Sequence, residues 1–159
     1  CNDSAKKLRI GHVILTGSDL DLHLFGSYLV DGVLDVVDDL TIYASAKDKA
    51  LGISKWVFGR ERLGQLVSID LSGAAATYLR QNSKLIIVNA TDTPGADTGN
   101  GHAYFRPSPS TSSDILATLM FDLKPGERGL EQVNGGPIWT FPADYIDRLR
   151  AALVKARSN

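Results

Sequence analysis

The chain has 159 residues and a formal net charge of −1, from 17 Lys and Arg against 18 Asp and Glu. With no basic stripe, that balance argues against a nucleic-acid partner, and apolar runs of only a few residues argue against a transmembrane segment, which needs about 20. A hydrophobic share of 43% and a charged share of 22% suit a single globular domain spanning 1–159 with a core of its own.

Cys1 is the sole cysteine, so neither an internal disulfide nor an all-cysteine metal site is open to the chain. An N-terminal cysteine could carry the lipid of a processed lipoprotein, which leaves the cytoplasm and the cell envelope both open as locations.

Ile10 to Thr16 reads as a buried strand, with a turn at Gly17-Ser18. Ser18 or Asp19 can cap the following helix, because their short oxygens reach its orphan N–H groups. Leu22, Phe25 and Leu29 recur at helical spacing, and Val30, Val33, Leu34 and Val37 prolong the pattern until Asp38-Asp39 closes it. Leu40 to Ala44 is a second strand, rich in β-branched and aromatic residues. A polar loop, Ser45 to Asp48, leads to a helix through Ala50, Leu51, Val57 and Phe58 that stops at Gly59. Val67, Ile69 and Leu71 alternate as in a half-buried strand, residues 73–82 could form a short helix, and Lys84 to Ala90 is a third clear strand. A glycine- and proline-dotted loop fills 91–110. Thr111 and Asp114 then resemble a capping box before a helix whose face would be Ile115, Leu116, Leu119 and Met120. Lys124 to Gly129 breaks that helix. Residues 124–159 form a tail whose final helix starts near Pro142 and carries Ile146, Leu149 and Leu153 as one stripe. Strand alternating with helix predicts an α/β fold, a parallel sheet with flanking helices.

In such a sheet, ligands and catalytic groups collect at the carboxyl ends of the strands. Three polar clusters lie there: Ser18, Asp19 and Asp21 after the first strand, Asp48 after the second, and the loop ending in His102 after the third. Histidine exchanges protons near neutral pH, and a carboxylate on its second ring nitrogen fixes the tautomer. Asp48 and His102, each on a loop after its own strand, follow the chain order of acid and base in a Ser-Asp-His triad. Helix capping is the competing role for Asp48, Asp19 and Asp21. Asp92 or Asp97 could orient His102 instead. His12 falls inside a strand and reads as core or sheet edge, and His23 as a solvated helix position. A metal held by His23, Asp19 and Asp21 is the weakest of these readings. No metal site and no cofactor is expected. Trp56 and Trp139 read as packing residues.

The segments GHVILTGSDLDLHLF, LTIYASAKDKAL and GHAYF, in that order, resemble a bacterial α/β-hydrolase family of esterase- and lipase-like proteins of unassigned role. The likeness runs over about residues 10–120. It implies that Asp48 is the catalytic acid and His102 the catalytic base, acting on a small-molecule ester. The family's serine sits in a Gly-x-Ser-x-Gly elbow, which occurs nowhere in this sequence. The resemblance is therefore to the C-terminal half of the α/β-hydrolase fold, and such a chain is expected to be inactive by itself. It would expose a sheet edge able to dock the missing N-terminal half or to form a homo-oligomer. The alternative is a non-catalytic binding or interaction module that retains the half-fold.

Overall fold

The structure, a computed structural model, describes residues 10–17, 22–45, 82–94 and 106–158. Among these, five strands form one mostly parallel sheet: β1 (Ile10–Thr16), β2 (Val37–Ala44), β3 (Leu85–Asn89), β4 (Glu131–Gln132) and β5 (Ile138–Thr140). The spatial order is β1-β2-β3-β5-β4, parallel throughout except for the antiparallel β4–β5 pair. Three α-helices accompany it: α1 (Leu22–Val30), α2 (Pro109–Phe121) and α3 (Tyr145–Arg157).

The central strands are covered on both faces, which is why they read as continuous apolar runs. Leu40, Ile42, Leu85, Ile87 and Ile138 face one side and pack with Phe25 of α1 and Leu34. Tyr43, Ile86 and Val88 face the other side and pack with Ala117 of α2 and with Tyr145 and Leu149 of α3. β1 lies at the edge and is only half buried.

The structure corrects the sequence expectations at six points. The helical pattern does not run on to Val37: Gly32 adopts φ 85°, a left-handed conformation that favours glycine, and ends the helix. A single 3-10 turn, Val33–Asp35, follows. β2 then starts at Val37, so Asp38 and Asp39 belong to the strand instead of closing a helix. The ammonium of Lys84 secures this junction by donating to the carbonyls of Leu34 (2.8 Å) and Val37 (2.9 Å).

α2 is capped by Ser108, whose hydroxyl accepts from the Thr111 N–H at 3.3 Å, and Pro109 occupies the first turn. Thr111 is therefore inside the helix. The buried face of α2 is Thr111, Asp114, Ala117 and Thr118, while Leu116, Leu119 and Met120 are exposed at 56%, 55% and 69%. On α3 the inward stripe is Tyr145, Leu149 and Leu153, and Ile146 is turned outward. The segment read as a tail supplies β4 and β5 to the sheet. The helix expected after Asp48, the strand at 66–71 and the short helix after it lie outside the described residues.

Candidate functional site

The carboxyl ends of β1, β2 and β3 form one rim. Thr16 is level with Tyr43, and Ala44 with Asn89. Gly17 turns the chain away from β1 with φ 54°. The Ala90 N–H donates to the Ala44 carbonyl at 2.8 Å, so the last rung of the β2–β3 pairing sits at the mouth of both loops. Beyond it the backbone is pinned locally: the Asn89 side chain accepts from the Thr91 N–H at 3.0 Å, and the Thr93 hydroxyl donates to the Ala90 carbonyl at 2.9 Å. Ser45, Thr91 and Thr93 are buried. Both loops thus leave adjacent strand ends on a well-ordered base.

Asp48, three positions after the buried Ser45, lies outside the described residues, and so does His102. The same holds for Asp19, Asp21, Asp97 and the side chain of His23. Asp92 is described and exposed. The chain re-enters the described region at Arg106, just before the Ser108 cap of α2.

Two polar centres that sequence reasoning missed lie elsewhere. The first is buried. Asp114 of α2 receives the Tyr43 hydroxyl (2.5 Å), the Tyr145 hydroxyl (2.7 Å) and two guanidinium nitrogens of Arg128 (2.7 and 3.2 Å). A third nitrogen of Arg128 donates to the Leu123 carbonyl at 2.6 Å. Burial first, and then the neighbouring Asp114 carboxylate, raise the pKa values of Tyr43 and Tyr145 above the ordinary tyrosine range. Burial pulls the pKa of Arg128 down, but the Asp114 carboxylate outweighs it and leaves it raised. Through these five hydrogen bonds this buried knot ties β2, α2, α3 and the 124–129 turn together.

The second centre is at the opposite, amino-terminal part of β1 and β2. His12 is level with Asp39 in the pairing, and its Nδ1 lies 2.8 Å from Asp39 Oδ2. Its Nε2 lies 3.3 Å from Asp122 Oδ1. Lys124 Nζ stands 3.4 Å from the Asp122 carboxylate and 3.9 Å from that of Asp39. His12 does sit on a sheet-edge strand, as its sequence context suggested. The signal for its partner was the alternation Val37, Asp39, Thr41, hidden by reading the two aspartates as a helix end.

No helix among the described residues is long and apolar enough to cross a membrane. No curated protein and no solved structure matches the chain. Residues 2–119 match a protein family described as alpha/beta hydrolase of unknown function (DUF900). That span takes in β1, β2, β3 and nearly all of α2, but not β4, β5 or α3. With this match over most of its length and a mostly parallel sheet flanked by helices, the chain belongs to that α/β-hydrolase family.

Proposed function

We propose that this chain supplies the acid and the base, Asp48 and His102, of a serine esterase whose nucleophile comes from a segment outside this sequence. The observation that carries the reading is the level pairing of Ala44 with Asn89, from which the two loops depart side by side. A base on one loop and its orienting acid on the other need that proximity. His102 would take the serine proton and return it to the alcohol leaving group, while Asp48 holds the imidazole tautomer and stabilises the imidazolium.

The outer edge of β1 carries no partner strand among the described residues. Beside it runs a groove of about 510 Å³ whose lining includes Ile14, Ile115, Leu116 and Leu119. An unpaired edge next to apolar surface is where a nucleophile-bearing segment would add its strand. The same edge supports the second reading, a non-catalytic interaction module that uses it to associate.

Hydrolysis of a short-chain aryl ester by the natural full-length protein separates these. His102→Ala and Asp48→Asn are each expected to cost about 10⁴-fold or more in kcat, because triad members act as a unit. Unchanged turnover in both variants, or none in the natural protein, would contradict the catalytic reading.

A further inference from the structure

We infer that His12, Asp39 and Asp122 form a site for a divalent first-row transition ion at the amino-terminal part of the sheet, away from the strand ends at Ala44 and Asn89. One ligand atom from each residue falls within 4.8 Å of the other two. Zinc-type bonds to nitrogen and oxygen are about 2.0–2.2 Å long. Donor atoms on one ion therefore stand roughly 3 Å apart; Asp39 already lies 2.8 Å from Nδ1 of His12, while Asp122 lies 3.3 Å from the other ring nitrogen, Nε2, and must turn to share the ion. Asp122 has 73% of its side chain exposed, so its carboxylate has room to turn toward the nitrogen that faces Asp39.

An independent observation comes from Asp39. Its side chain is 6% exposed, and Oδ1 is buried with no hydrogen-bond partner among the described residues. A desolvated carboxylate oxygen without a donor is costly unless a cation or donor meets it. The local field points the same way. Asp122 is the C-cap of α2, in a left-handed conformation (φ 49°), so its charge sits at the negative end of the helix dipole. Two carboxylates and a helix terminus thus converge on one imidazole, and the nearest ammonium among the described residues, Lys124, is 59% exposed and free to swing away.

Imidazole with two carboxylates suits zinc- or manganese-type ions better than calcium, which prefers all-oxygen shells. Three protein ligands leave room for water. A cavity of about 480 Å³, lined in part by Asp39, Lys124 and Trp139, gives access. The ion would clamp the amino-terminal parts of β1 and β2 to the end of α2.

Calorimetric titration of the chain with zinc chloride at neutral pH tests this. One ion is expected to bind per chain. His12→Ala and Asp122→Asn should each weaken binding about tenfold or more; asparagine tolerates the left-handed conformation, so the second variant keeps the fold. Lys124→Gln, which removes the competing ammonium, should tighten it. No binding by the wild type, zinc binding that survives both ligand substitutions, or binding no tighter in Lys124→Gln would overturn the inference.

Discussion

Asp114 and Asp39 are both buried carboxylates on the same side of the sheet system, and they are treated in opposite ways. Asp114 is 0% exposed and meets two phenol hydroxyls and a guanidinium. Asp39 meets one imidazole and keeps an oxygen without a partner among the described residues. A carboxylate whose lone pairs are all occupied by rigid neighbours can only hold the fold together. One that is under-occupied, beside exposed and movable side chains, is suited to receive something from outside.

That contrast can be broken by substitution. Asp114→Ala should lower unfolding free energy by about 3–5 kcal/mol, because it strands the buried Arg128 charge and two phenols. The same change at Asp39 should cost about 1 kcal/mol or less, since the lost histidine contact is offset by releasing a desolvated oxygen. Urea denaturation of both variants checks this, and equal losses would erase the distinction.

The knot should also show itself at alkaline pH. Tyr43 and Tyr145 have folded pKa values raised above the unfolded tyrosine value of about 10. Their contribution is fully present below pH about 10. It falls as pH rises above that, because the unfolded chain releases protons that the folded one retains. Each tyrosine adds a slope of about 1.4 kcal/mol per pH unit. Tyr145→Phe should halve the alkaline loss, measured as denaturation midpoint against pH. An unaltered slope would mean that the hydroxyl ionises as readily folded as unfolded.

Much of the fold was legible in the sequence, because buried parallel strands announce themselves as apolar runs. β1 matches its expected bounds and β3 lies within its own. Reading failed where burial and apolarity part company. α2 buries Thr111, Asp114 and Thr118 and exposes Leu116, Leu119 and Met120, so the hydrophobic pattern pointed the wrong way. β4 and β5 have two and three residues, too few to show a period. The first residues of β2 were masked by two acidic residues, one of them paired through a single oxygen with a histidine 27 positions earlier, a pairing that only the strand register brings together. Asp48 and His102 were singled out by residue type and chain order, and both lie outside the described residues, so their pairing stands as a proposal. Arg128 was not singled out, since an arginine in a turn reads as solvated and this one is 1% exposed.

The most direct test of the proposed acid–base pair is the proton NMR spectrum of the imidazole N–H groups at low temperature. A ring N–H held by a carboxylate resonates far downfield, and two such signals are expected. One, from His12, should vanish in His12→Ala and Asp39→Asn. The other should vanish in both His102→Ala and Asp48→Asn while the first persists. A His102 signal that is absent, or that ignores Asp48→Asn, would contradict the pairing on which the hydrolase reading stands.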